Sequence, residues 1–487
     1  MKRLNIDYDK QSDHFEKIRD VPTDLIYGDP GYIKDPWFSY IIPVYKRPDL
    51  LKETLECVLN QKPVEFAWDI VVVDNETEPD NPTEQLIRQI DDKRILYYRN
   101  RDNLGPGGNY NRCIETARGK WVALLHGDDL ITNDHLRLMG GYIKQYQKGR
   151  KELAYISPRY VDFSKNSEVN LDRETWGEDD DKVCYFGRLK RLTLLDVMIT
   201  GNSVGIPSFG TVMNREIMLK TGGFQVDLGI CEDVITPYKL SRKYRVYTTP
   251  LKMGFYRFEG NTCLKREVIC QICEGMTDFR EYLFETNILT RLWGNVVRAE
   301  FFKTITIYCS HISRYGADKM RLSDFDYIYP ERKKPPKILQ TIYYLLSGIY
   351  STCVGYDTFE ADIAKETRTI MAYLKEHGYH DIIIYGAGRA GEEVGKTLKK
   401  DKDFQVLYYA VTDTRGNEEV IHGIPVKQID ELVDYREECY VIAAAVIEEF
   451  FEDMDEKLEE LGFRHSCALL KNFRKKRSSL EKNANVQ

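Results

Sequence analysis

Short continuous apolar runs alternate with segments of helical period from about residue 36 to residue 265. Tyr40–Val44 (YIIPV), Asp69–Val73 (DIVVV), Arg94–Tyr98 and Trp121–Leu125 (WVALL) read as strands, Asp49–Asn60 reads as a helix, and further helices fall between the runs. Apolar runs of this length, bounded by turn residues, suit strands buried on both faces. Strands alternating with helices predict a parallel sheet with both faces covered. Such a sheet receives its ligands at the C-terminal ends of its strands.

The pattern then changes twice. Residues 266–360 read as mainly helical, with the basic, Pro-rich run Glu331–Lys337 (ERKKPPK) ahead of the apolar stretch Ile338–Tyr350. A basic segment beside such a helix suits an anionic membrane surface; the plainer reading is a linker and a docked helix. From about 361 to 475 the strand–helix alternation returns, with Asp381–Tyr385 (DIIIY), Phe404–Val411 and Tyr440–Ala445 (YVIAAA) as strands, and a helix running to about Lys399. Ser164–Lys182 is polar and acidic and reads as a loop, and Lys471–Gln487 as a basic, polar tail.

Composition narrows the class. The chain has 487 residues, 42% apolar and 30% charged, with 33 tyrosines and a net charge of −7. These are values of a globular protein, and the negative sum argues against a broad nucleic-acid surface. No stretch reaches the roughly 20 apolar residues that span a bilayer, and the first residues lack the apolar centre of a secretory signal. Eleven scattered cysteines, an odd number, predict a reduced, cytoplasmic protein. Cys270 and Cys273 form a lone CxxC, expected as two thiols on or near a helix because no second ligand pair stands at zinc spacing.

Three acidic groups fall where such a sheet would gather ligands. Asp74 closes DIVVV, where a carboxylate accepts from a nucleobase N–H or a ribose hydroxyl; an Asp-Asn pair also favours a turn. Asp128 and Asp129 follow WVALLHG, and adjacent carboxylates at a strand end call for a cation or for hydrogen bonds. A solvated turn or a helix N-cap ahead of Leu130–Met139 is the alternative, and the cap role suits Asp129 better than Asp128. Glu232 and Asp233 open a helix running to about Arg242, where the helix end favours an ionised carboxylate.

Four ordered stretches over some 230 residues resemble family 2 glycosyltransferases of the GT-A fold: Ile41–Gln61 (IIPVYKRPDLLKETLECVLNQ), Val71–Asn75 (VVVDN), Asn103–Asp129 (NLGPGGNYNRCIETARGKWVALLHGDD) and Gly222–Val246, which holds CEDVITPYKLSRKYRV. The resemblance implies a nucleotide-sugar site at Pro43, Val44, Tyr45, Arg47, Asp74, Asn75, Asn103, Gly105, Asn111, His126, Gly127 and Asp128. It implies Mn²⁺ or Mg²⁺ at Asp128 and Asp129, and Asp233 as the catalytic base beside Glu232, in an inverting transfer of sugar from a nucleoside diphosphate, with uridine as the expected base. The first aspartate of the family's DxD motif is His126 here, a residue able to meet ribose or diphosphate.

The third zone carries Gly386, Gly388 and Gly391 as GxGxxG between a strand and a helix, with Asp413 after the next strand. In that context backbone N–H groups at the helix start hold phosphate. DIIIYGAGRAGEEVGKTL with GIPVKQIDEL resembles small Rossmann-like domains attached to surface-polysaccharide enzymes. A second nucleotide, NAD(P) or assembly alone are the roles this leaves open. The expected fold class is therefore α/β: an extension over 1–35, a GT-A domain over 36–265, a helical linker region over 266–360, a Rossmann-like domain over 361–475 and a tail over 476–487. The expected partners are a nucleotide-sugar donor and a saccharide or lipid-linked acceptor, and not nucleic acid. Peripheral contact with the inner face of a membrane and self-association stay open.

Overall fold

The apolar runs of the first zone form the centre of a ten-stranded mixed sheet in the first of two units, residues 1–355. The computed structural model describes residues 8, 12–163, 169–173, 189–193, 196, 208–226, 232–257, 264–313, 320–328, 338, 341–343, 345–346, 359–414, 417, 419–445 and 448–470. Of the polar loop Ser164–Lys182 only 169–173 are among them, and the basic run Glu331–Lys337 and the tail Lys471–Gln487 lie outside. The strands of this unit are β1 (Thr23–Tyr27), β2 (Phe38–Val44), β3 (Trp68–Asp74), β4 (Ile95–Asn100), β5 (Trp121–Leu124), β6 (Leu130–Ile131), β7 (Leu153–Phe163), β8 (Lys190–Arg191), β9 (Thr211–Asn214) and β10 (Arg245–Arg257). Its main helices are α1 (Pro48–Leu59), α2 (Pro82–Ile90), α3 (Gly105–Thr116), α4 (His135–Tyr146), α5 (Arg215–Lys220), α6 (Glu232–Lys243), α7 (Arg266–Glu285) and α8 (Ile288–Ser313).

The sheet order is β1-β4-β3-β2-β5-β9-β7-β10-β6, with β8 paired to β10. Every residue of β2 is buried, as a strand covered on both faces requires. The parallel sheet expected from the alternation is present over β4-β3-β2-β5. Beyond it the pairing turns mixed: β9 is antiparallel to both β5 and β7, and β1 is antiparallel to β4. Parallel pairing is imposed where a crossover helix joins strands of one sheet, and α1, α2 and α3 serve only that central stretch.

The helix expected from Leu130 begins instead at His135, behind Asp134. Leu130–Ile131 pairs with Gly254–Phe255 of β10, so Asp129 caps no helix. Cys270 and Cys273 sit one turn apart on α7 as free thiols. At the N-terminal end of the chain, Tyr8 is buried among Phe279 and Tyr282 and donates its hydroxyl to Asp278 Oδ2 at 2.9 Å.

The second unit, residues 356–487, has its own six-stranded sheet. Its elements are α9 (Phe359–Glu376), β11 (Asp381–Tyr385), α10 (Arg389–Leu398), β12 (Gln405–Val411), β13 (Val420–Ile421), β14 (Ile424–Gln428), β15 (Tyr440–Ala443), α11 (Glu448–Glu460) and β16 (Ser466–Ala468). The order β14-β12-β11-β15-β16 is parallel throughout, with β13 antiparallel on the edge. Counted along the chain, the parallel strands lie 3-2-1-4-5, a doubly wound order whose direction reverses beside β11.

Candidate active site

The ends of β2, β3 and β5 converge through backbone hydrogen bonds: Asn75 N donates to Val44 O at 3.0 Å and Leu125 N to Ile41 O at 3.0 Å. Just beyond β2, Lys46 and Arg47 both adopt the left-handed conformation, with φ of 63° and 56°. Two consecutive side-chain-bearing residues in that region are strained, and such strain concentrates at functional sites. Tyr45 stands half exposed beside them, at 51%.

This turn aims the Arg47 guanidinium at Asp128, Nη1 to Oδ2 at 3.1 Å. Asp128 follows β5 in the run His126-Gly127-Asp128-Asp129. Gly127 lies against β2, where an added Cβ would come within 3.0 Å of Val44 Cγ1. His126 Nδ1 meets Asp129 Oδ2 at 3.0 Å, and its Nε2 lies 3.2 Å from Ser208 Oγ and 3.3 Å from the Tyr110 hydroxyl. Because an ionised carboxylate only accepts, this contact assigns the proton to Nδ1. The imidazole stacks on Tyr110 at 13° and also touches Phe209. Asp129 is fully buried; Arg257 N donates to its other oxygen at 2.9 Å. Burial raises the Asp129 carboxyl to about 6, against the pull of the His126 hydrogen bond, with Asp128 beside it adding to the rise. Arg257 also donates from Nε to Asp128 O at 2.9 Å and forms an ion pair with Glu53. A ligand atom from each of His126, Asp128 and Asp129 lies within 4.8 Å of the others. One imidazole nitrogen and two carboxylates fit a borderline cation such as Mn²⁺ better than Mg²⁺, which prefers oxygen alone.

Asp74 lies at the end of β3, fully buried. Its oxygens accept from Glu76 N at 2.8 Å, Tyr97 OH at 2.8 Å and Asn81 Nδ2 at 3.2 Å. Burial outweighs these hydrogen bonds and raises its carboxyl to about 6. Asn75 is likewise engaged, accepting from Asn100 Nδ2 at 2.8 Å and donating to Gly105 O at 3.0 Å. Asn103 caps the turn by accepting from Gly105 N at 2.8 Å, where Gly105 has a φ of 69°.

Asn111 does not open on the cleft. Its buried amide clamps the backbone of Phe224, donating to Phe224 O at 2.8 Å and accepting from Phe224 N at 2.8 Å. It thereby ties α3 to the segment leading into α6. The glycine before Phe224 is required: Gly223 has a φ of 73°, and a Cβ there would come within 2.4 Å of Asn111 Oδ1. Glu232 and Asp233 form the first turn of α6, and their side chains lie outside the described residues.

Residues that the sequence reading left unmarked complete this region. Asn109 donates to Val73 O at 3.0 Å and joins Asn100 and Asn75 in one buried amide cluster. Tyr110, Ser208 and Phe209 enclose His126, and Arg257 holds the two aspartates. GGNYN carries Asn109, Tyr110 and Asn111 in adjacent positions, a density of polar side chains on one helix that signals buried contacts.

In the second unit, Gly386 has a φ of 119° and donates its N–H to Ala410 O at 2.8 Å, which fixes the turn after β11. Gly388 precedes α10 as its N-cap. A Cβ on Gly391 would fall 1.9 Å from Gly386 O, so only glycine lets the helix start approach this closely. Asp413 lies just past β12, the neighbouring strand, and its carbonyl accepts from Asn417 Nδ2 at 2.8 Å.

Residues 39–218 match the model for Glycosyl transferase family 2. An uncharacterised glycosyltransferase of Methanocaldococcus jannaschii is 34% identical over 118 residues, 23% of this chain and 39% of its own length. The abequosyltransferase of Salmonella typhimurium is 26% identical over 151 residues, 30% of this chain and 43% of its own. A GalNAc(5)-diNAcBac-PP-undecaprenol beta-1,3-glucosyltransferase of Campylobacter jejuni is 28% identical over 148 residues, 30% of this chain and 44% of its own. The chain thus spans less than half the length of these three relatives.

Proposed function

Because residues 39–218 form a family 2 glycosyltransferase domain, we propose that the chain is a metal-dependent, inverting glycosyltransferase. It moves a sugar from a nucleoside diphosphate, with UDP as the first choice, to a saccharide or lipid-linked acceptor in surface-polysaccharide synthesis. The observation that carries this reading is the set of His126, Asp128 and Asp129 ligand atoms within 4.8 Å of one another. A divalent cation there would neutralise charge on the departing diphosphate. Arg47 can move from Asp128 to a phosphate oxygen, exchanging one anion for another. Tyr45 offers an exposed ring for the base. Asp233, in the first turn of α6, takes the proton from the acceptor hydroxyl as general base.

Asp74, Asn75 and Asn111 support this site from behind, shaping the strand ends and the α6 approach, with Asp74 turning to base or ribose when the donor enters. The test is donor hydrolysis and transfer by the full chain with and without Mn²⁺, beside Asp128→Ala and Asp233→Ala. Loss of turnover in both variants is the expected result. Activity that survives both changes overturns the metal role of Asp128 and the base role of Asp233.

A second reading concerns the other unit, where the 3-2-1-4-5 order and the close approach of Gly391 to Gly386 favour a bound nucleotide. NAD(P) or a nucleotide sugar would lie over α10 with its ribose toward Asp413. Calorimetry of the full chain with NAD⁺, NADP⁺ and UDP, repeated with Gly388→Trp to fill the cradle, separates this from a role in assembly alone.

A further inference from the structure

Of the nine large aliphatic side chains that stand exposed among the described residues, seven lie between Ile288 and Leu346. Three open α8: Ile288, Leu289 and Leu292, exposed by 73%, 74% and 60%. The other four are Ile338, Ile342, Leu345 and Leu346, at spacings of four, seven and eight that place them on one helical face. Residues 338, 341–343 and 345–346 are helical. This segment is held on α8 by Tyr343, whose ring lies 5.9 Å from Trp293 and 6.0 Å from Phe301. Leu289 is one turn before Trp293 and Leu292 is adjacent to it, so the two apolar sets adjoin. Monomers seldom leave so much aliphatic surface in one place unless it meets something.

The surroundings say what it meets. Residues 285–287, immediately before Ile288, line a cavity of about 640 Å³ together with Arg191, Arg242, Tyr238 and Tyr282. Glu285 is the single acid of its lining, against two arginines. Arg291 stands exposed beside Leu292, and the run ERKKPPK directly precedes Ile338 in the chain. Aliphatic side chains beside an exposed arginine and next to a polar recess with two guanidinium groups match the boundary of a bilayer carrying anionic headgroups. No helix among the described residues is long and apolar enough to cross a membrane, so the match is to its surface.

We propose that this face of the first unit docks on an anionic bilayer, with Ile288, Leu289 and Leu292 entering the headgroup boundary and the Arg191–Arg242 cavity receiving a lipid phosphate. The proposal goes beyond sugar transfer and stands without it. Flotation of the full chain with vesicles of phosphatidylcholine alone, or with 30% phosphatidylglycerol, tests it. The expected result is at least tenfold stronger partition onto the anionic vesicles. Leu289→Glu with Leu292→Glu should lower that partition tenfold or more, and Arg191→Glu several-fold. Hydrolysis of a soluble donor by these variants should be unchanged, so vesicle binding and catalysis are read separately. Equal binding by wild type and the double variant, or absence of vesicle binding, overturns the proposal. So does a dimer in light scattering that the double variant makes monomeric while vesicle binding is absent, since a second copy then covers the face.

Discussion

Asp74 should make the stability of the first unit depend on pH in an unusual direction. Its carboxyl is raised to about 6 by burial, whereas an unfolded chain titrates near 3.9. The native state therefore holds the proton to higher pH than the unfolded state. The stability this provides is full below about pH 4 and is lost as pH rises through 6. Between pH 5 and 8 the difference between the two titrations integrates to about 1.4 kcal/mol for one such group. Asp74→Asn carries no titrating group and should remove that share of the slope. All five tryptophans precede residue 356, so tryptophan fluorescence reports the first unit alone. Urea unfolding at pH 5 and 8 should show wild type losing about 1.4 kcal/mol more than Asp74→Asn over this interval. Asp129, also raised to about 6, keeps its slope in both proteins. Identical slopes for the two would refute the reasoning and mean that Asp74 is not desolvated as its burial indicates.

Three further outcomes follow from the geometry. Gly223→Ala must give up a φ of 73° and push Asn111 Oδ1 from 2.4 Å; it should lose about 2 kcal/mol or more in the same fluorescence assay, with transfer falling alongside. Arg47→Gln removes the cation 3.1 Å from Asp128 and should raise nucleotide-free Mn²⁺ affinity about threefold in calorimetry, since a partly exposed pair contributes under 1 kcal/mol. Gly391→Ala, with a Cβ 1.9 Å from Gly386 O, should speed amide exchange across β11 and α10 while the tryptophan-detected transition of the first unit stays put.

The centre of the fold was legible because strands buried on both faces are written as unbroken apolar runs, and β2, β3 and β5 lie within two residues of their expected bounds. The mixed half was not, since β9 pairs antiparallel with β5 and β7 while β10 pairs parallel with β7, partners that no local period encodes. Asp128 and Asp129 declared themselves by adjacency at a strand end. Their partners did not: Arg47 is 81 residues away and Arg257 reaches Asp129 across 128. Asn111 was visible as a residue but not as a clamp, because an amide reads the same whether it faces a ligand or a backbone. The buried cluster of Asn75, Asn100 and Asn109 was hidden for the same reason.

The anchoring of Tyr8 under α7 bears on how the catalytic unit can be cut out for study. A fragment begun at residue 36, where the first apolar run is near, would discard a ring packed against Phe279 and Tyr282 and the hydroxyl that donates to the Asp278 carboxylate. Shortening the polypeptide from the front thus strips a wedge from a helix whose partner carboxylate lies 270 positions downstream, and a minimal expression piece should begin ahead of that tyrosine.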